Sequence, residues 1–143
     1  MRNSKEISIG DKTLERVLTD HLRWIISSYS RADLRHMDLH NVDLTDVDLR
    51  SADLQGATLY DTSLKNAILR FADLSETDLC DADLEGADLY KCNLKYANLR
   101  GANLKGADLR EADLRYADLT NAILDDANLE GANLEDAYFG GNA

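Results

Sequence analysis

The sequence contains no proline, two cysteines, one tryptophan and only 6% aromatic residues. Without proline, no position is barred from donating its N–H, so a long uninterrupted backbone ladder is open to this chain. Cys80 and Cys92 have no metal-ligand spacing and no neighbouring cluster of His or Cys, which excludes the common zinc sites and a disulfide framework. They are expected to be free thiols in a reducing compartment. No apolar run approaches the roughly 20 residues that span a bilayer, and the N-terminus lacks a charged-then-apolar segment with a small-residue cleavage site. The expectation is a cytoplasmic protein without membrane insertion. Basic side chains are scarce as well, 16 Lys and Arg against 27 Asp and Glu, for a net charge of −11. Phosphate contacts need clustered Lys and Arg, so direct nucleic-acid binding is not expected and a basic target fits better. With 143 residues, the chain is one domain around one core.

Leucine, by contrast, recurs at a fixed interval. It occupies every fifth position from Leu34 to Leu134, 21 in all, and Phe139 takes the next place, giving 22 repeats. Two residues before these centres stands Ala in 16 cases, the exceptions being Met37, Val42, Val47, Thr62, Thr77 and Cys92. One residue before the centre is Asp in 12 cases and Asn in five, while the two residues after it vary. The repeat is therefore A(D/N)Lxx, as in GANLKGADLREADLRYADL from Gly101 to Leu119.

A straight helix cannot use this pattern, because a step of five turns each Leu roughly 140° past the last. A straight strand fails too, since an odd step sends successive leucines to opposite faces. The chain must turn a corner in every repeat. With the centre and the residue two before it pointing inward, the Asp or Asn between them points outward and the two variable residues form the bend. The expected core includes Leu34, Leu54, Leu74, Leu84, Leu94, Leu104, Leu114 and Leu134. Glycine supports the bend, falling at its second place as Gly56, Gly86, Gly101, Gly106, Gly131 and Gly141, where unusual φ is cheapest. Bending the same way after each short strand winds the chain into an all-β solenoid. Periodicity alone does not set the number of repeats per coil.

These residues resemble the pentapeptide-repeat family over 32–141. The resemblance implies a right-handed quadrilateral β-helix with four repeats, or 20 residues, per coil. The 22 repeats would then make about 5.5 coils, a rod on the order of 26 Å long at about 4.8 Å per coil. The implied organisation is an N-terminal segment of residues 1–30, a β-helix over 31–141 and a tail at 142–143. Ahead of the repeats, an apolar stripe predicts a capping helix over about residues 11–28, with Asp11 as N-cap. The HLRWIISSYSRADL stretch resembles the helical lead-in of bacterial members of the family. Leu18, His21, Leu22, Trp24 and Ile25 are expected to pack that helix on the first coil.

Catalytic chemistry finds no foothold. His36 and His40 fall on successive bends, roughly 13 Å apart along extended chain and too far for one metal. No nucleophile, base and orienting group converge, and a filled rod has no catalytic pocket. No enzyme activity, cofactor or metal is expected.

Function must then lie on the surface. Counting by the period of 20, the faces led by Leu34, Leu39, Leu44 and Leu49 carry net charges of −4, −4, −4 and −1. The near-neutral Leu49 face stacks Arg50, Arg70, Tyr90 and Arg110 at equivalent bends, with Asp48, Asp88 and Asp108 beside them, so ladders of opposite charge are expected, and Lys91 adjoins Tyr90. Tyr96 and Tyr116 stand one coil apart around the next corner, beside Lys95 and Arg115. Tyr and Arg favour interfaces, so these residues form a candidate patch for an unknown protein partner. The alternative comes from the resemblance, since some family members inhibit or protect DNA gyrase by imitating the shape and charge of duplex DNA. The acids available for that are Asp61, Asp81, Asp118, Asp125, Asp126, Glu130, Glu135 and Asp136. The 12 Asp residues before the centres are weaker evidence, because a turn preference already explains them. The C-terminal AYFGGNA is expected to leave Tyr138 and Phe139 exposed, which an end-to-end homodimer through that coil would cover. Gyrase-directed members typically dimerise through added C-terminal elements, and some carry a projecting loop. Neither is found in this sequence.

Overall fold

The computed structural model describes residues 8–9, 12–13 and 31–141. From residue 32 onward the chain turns a corner every five residues and closes a coil every 20. Every bridge within residues 33–138 joins residue i to residue i+20 in parallel, from Asp33↔Asp53 to Asp118↔Tyr138. Four repeats therefore complete a coil, and equivalent residues stack in columns along the rod.

Repeats with a coil on either side use their backbone in the same way. The central N–H donates to the next coil, as Leu84 does to the Asn103 carbonyl at 2.7 Å. The residue before it donates to the previous coil, as Asp83 does to Thr62 at 2.9 Å. The central carbonyl accepts from the residue three places on, as Leu84 does from Ala87 at 3.0 Å, which closes the corner. The second corner residue has positive φ in 21 consecutive repeats, from His36 (φ 55) to Asp136 (φ 56). Positive φ at the second central position alone is the signature of a type II turn. Gly is cheapest there, followed by Asn and Asp.

Asp and Asn before the centre are explained by this corner. In all 17 cases their side-chain oxygen accepts the N–H two residues on, at distances such as 2.9 Å for Ser75 to Asp73 and 3.0 Å for Glu130 to Asn128. The motif is an Asx turn that satisfies a donor the ladder leaves over.

Inside, the columns are leucine and small residues. Leu34, Leu54, Leu74, Leu84, Leu94, Leu104 and Leu114 are at most 1% exposed. Leu134 departs from the expected core: with Leu124 and Leu129 it is only partly buried, because no further coil stacks on this one. Where the small inward residue is polar, its proton finds a carbonyl: Thr62 Oγ1 donates to Leu39 at 2.8 Å and Thr77 Oγ1 to Leu74 at 2.6 Å. Cys92 is buried with its thiol on the Leu69 carbonyl, and burial pushes that thiol strongly away from ionisation.

Two further expectations need correction. The final repeat places positive φ at Gly140 (φ 71) rather than at Gly141, one residue early, so the last corner departs from the register. Ahead of the coils, β1 (Ser8–Ile9) and β2 (Lys12–Thr13) pair antiparallel, with Ile9 opposite Lys12. Strand therefore occupies the place where the capping helix was expected to begin. The Gly10-Asp11 pair between two short strands was the available hairpin signal. Leu18, His21, Leu22, Trp24, Ile25 and the rest of the expected helix lie outside the described residues. No helix among the described residues is long and apolar enough to cross a membrane.

Candidate functional site

The expected charge ladders take a different form. Where an Arg follows the centre and an Asp precedes it, the two pair within one repeat, two residues apart. Arg50 pairs with Asp48, Arg110 with Asp108 and Arg115 with Asp113, the last two through Nε at 2.8 Å and Nη2 at 2.6 Å. The same carboxylate already accepts the Arg backbone N–H, so the turn preorganises the fork. Arg110 and Arg115 hold their partner carboxyls below the ordinary range by hydrogen bonding, against a smaller opposing effect of burial. Arg70 cannot pair this way because Ile68 stands in the aspartate's place. Its Nε reaches across to Asp88 of the next coil instead.

The aromatic residues concentrate on two neighbouring corners. Tyr96 and Tyr116 stack with ring centroids 5.0 Å apart and planes 8° from parallel, and Lys95 Nζ lies 5.6 Å from the Tyr96 ring. On the preceding corner, Tyr90 lies between the guanidiniums of Arg70 and Arg110, at 5.4 and 5.6 Å, with Lys91 at 5.3 Å. The Tyr90 hydroxyl donates to Glu111 at 3.1 Å, and Lys91 pairs with the same carboxylate at 3.1 Å. Phe71, missed in the sequence, meets Tyr90 edge-on at 5.7 Å. It occupies the glycine-favouring place of its repeat, which was the signal available. Phe71, Tyr96 and Tyr116 all have φ near +60° and are 54%, 56% and 45% exposed. Bulky side chains rarely adopt that conformation, and here they remain about half exposed.

The acids proposed for mimicry are dispersed. Asp61 and Asp81 stack on the corner after the Leu39 face, where the column ends in Gly101 and Asn121. Asp118 pairs with Arg100 at 3.3 Å. Asp125, Asp126, Glu130, Glu135 and Asp136 are exposed around the last coil without an ion pair among the described residues. Tyr138 and Phe139 are exposed beside them. His40 stacks on Tyr60 and meets Asp38, while His36 lies under Gly56, so the two histidines have separate surroundings. No group of His, Cys, Asp or Glu among the described residues could hold a metal ion.

Comparison with known proteins agrees with this architecture. No curated protein matches the sequence. Among solved structures, the pentapeptide repeat protein Rfr23 from the cyanobacterium Cyanothece 51142 is 31% identical, with a TM-score of 0.75, covering 86% of this chain and 99% of Rfr23. HetL from Nostoc sp. strain PCC 7120, a pentapeptide repeat protein involved in heterocyst differentiation regulation, is 36% identical with a TM-score of 0.37. The match covers 74% of this chain but only 54% of HetL. QnrB1, a plasmid-mediated fluoroquinolone resistance protein, is 21% identical with a TM-score of 0.39, covering 75% of this chain and 73% of QnrB1. The model for pentapeptide repeats matches residues 30–66, 67–106 and 102–141. The chain belongs to the pentapeptide-repeat family, whose members form right-handed quadrilateral β-helices.

Proposed function

We propose that this protein is a non-enzymatic, cytoplasmic interaction scaffold, offering a rigid β-helical surface to another protein. One observation carries the reading: Phe71, Tyr96 and Tyr116 are held exposed in a backbone conformation that disfavours aromatic residues. Exposed, rigid Tyr beside Arg and Lys is the composition of a protein-binding hot spot. Recognition then rests on shape and on paired charges whose geometry the Asx turns fix in advance. The test is capture from a lysate of the source cell, identified by mass spectrometry, with three baits. The wild type and an Asp61→Asn, Asp81→Asn control should retain the same partner, and Phe71→Asn, Tyr96→Asn, Tyr116→Asn should lose it. Asn suits the positive φ, so the variant keeps the coil. A partner retained by all three baits removes the aromatic corners from the interface.

A second reading is a DNA-mimicking inhibitor or protector of DNA gyrase. It draws on Asp125, Asp126, Glu130, Glu135 and Asp136, exposed without ion pairs among the described residues. Against it, the 12 Asp residues before the centres are tied into turns, and several are neutralised by Arg. Inhibition of gyrase supercoiling that weakens with salt would favour mimicry; no effect at a large excess would end it.

A further inference from the structure

We infer that the groove beside Tyr90 is a docking subsite for an extended polypeptide segment with a carboxylate at one end and a cationic side chain at the other, an inference that rests on the scaffold reading. The groove encloses about 590 Å3 and is lined by Arg70, Tyr90, Arg110, Glu111, Glu130 and Gly131. Four of these, Arg70, Tyr90, Arg110 and Glu130, occupy one column at intervals of 20 residues.

Their remaining hydrogen-bonding capacity differs. Arg110 is engaged through Nε and Nη2 by Asp108, and Glu111 accepts from both Tyr90 and Lys91. Arg70 is held through Nε alone, and its terminal NH2 groups make no hydrogen bond among the described residues. Glu130 forms no ion pair there either: Asn128 and Gly131 flank it where the previous coil has Asp108 and Glu111, and its charge acts on Arg110 only at longer range. Gly131 keeps this end of the groove open: a Cβ would approach Glu111 Cγ to 3.3 Å.

The result, among the described residues, is a groove with an unbonded guanidinium edge at one end and a carboxylate without an ion pair at the other. They lie three coils apart, roughly 14 Å at about 4.8 Å per coil, which four extended residue steps of about 3.3 Å match. A planar guanidinium recognises a carboxylate through paired N–H donors. Charge selects the same ligand. A purely basic segment has three more acidic faces to choose from, and a purely acidic one is repelled by them. Only a dipolar segment has a reason to prefer the near-neutral Leu49 face.

The probes are three fluorescein-labelled peptides with blocked termini, EAYAK, KAYAK and EAYAE, titrated against the full chain at 0.15 M salt. The wild type should bind EAYAK about tenfold more tightly than either of the others. Arg70→Glu makes both ends acidic and should move the preference to KAYAK, whereas Glu130→Lys should move it to EAYAE. Both residues are on the surface, and an unchanged melting temperature checks that the variants fold. Equal binding of the three peptides by the wild type, or the same ranking in Arg70→Glu, overturns the inference. Failure here leaves the bait experiment on the aromatic corners unaffected, so the two readings can fall separately.

Discussion

The corner after the Leu44 face and the corner after the Leu34 face share one backbone and carry different chemistry. The first column holds Asp46, Asn66, Gly86, Gly106 and Asp126, with φ from 53 to 67°. The second holds His36, Gly56, Glu76, Tyr96, Tyr116 and Asp136, with φ from 55 to 65°. Every residue of the first is of a kind that tolerates positive φ cheaply. The second column makes the same turn with two tyrosines. The turn therefore does not require them, and both remain about half exposed. The glycine-and-asparagine corner shows what the fold asks for, and the tyrosine corner shows what has been added to it.

This contrast has force only if the interior is uniform beneath both corners. Leu84→Ala, on the Leu44 face, and Leu94→Ala, on the Leu34 face, should each destabilise by about 2–5 kcal/mol in urea unfolding, since both are fully buried in stacked columns. Glu85→Ala, at the adjoining bend, should change stability little. A Leu94→Ala loss far above that of Leu84→Ala would mean that the tyrosine corner rests on a special core and is not an addition.

The corners themselves can be exchanged. A Cβ at Gly106 would meet no atom within 4 Å, so Gly106→Ala isolates the backbone cost. The expected loss is about 1–2 kcal/mol, the penalty of a left-handed conformation for an L-residue. Tyr96→Gly runs the other way: relief of that penalty is offset by the entropy of glycine and by the lost stack on Tyr116, leaving a net change within about 1 kcal/mol. A loss above about 2 kcal/mol would make the tyrosine pair a structural clamp and remove the argument for a binding role.

Which parts of this were legible in the sequence follows from what repeats. Inward leucine, outward aspartate and the bend after it could be read because each position meets the same surroundings 22 times. The number of repeats per coil could not, since a corner every five residues fits a triangle as well as a square; family resemblance supplied four, and the bridges from i to i+20 agree. Single-position features were harder. Arg50 and Arg110 take the aspartates that the sequence sets beside them, Asp48 and Asp108, but within single repeats rather than as ladders, and Arg70 crosses coils only because Ile68 displaces an aspartate. Phe71 has no aromatic at the same place one coil away, unlike Tyr96 and Tyr116, which stand one coil apart beside Lys95 and Arg115; its signal was an aromatic at the glycine-favouring place of its repeat. Gly141 was assigned by register alone, and the register slips at Gly140. Stacked repeats make the average residue predictable and conceal the exceptions.

The smallest effect separates the two uses of acidic side chains. Asp33 is held at about 2 by its hydrogen bond to Arg35, and Asp113 is lowered from 3.8 chiefly by its hydrogen bond to Arg115. A carboxyl with a lower pKa in the folded protein binds fewer protons there than in the unfolded chain. Its contribution is complete above the unfolded value near 3.8 and is lost as pH falls towards the folded value, about 2 for Asp33. The urea midpoint should therefore be flat between pH 7 and 5 and decline below pH 4. Opposing this is relief of self-repulsion as the net charge of −11 is neutralised, a long-range effect that 0.15 M salt screens over about 8 Å. Contacts at 2.6–2.9 Å are screened far less, so the decline should prevail in that salt. Asp113→Asn keeps the turn, as Asn93 and Asn133 do in the same column, and removes only the Arg115 pair. It should change stability little at pH 7 and make the decline below pH 4 shallower. A midpoint that instead rises below pH 4 would mean that the repeat aspartates strain the rod more than their turns and ion pairs stabilise it, and their regular placement would then need a reason outside the fold.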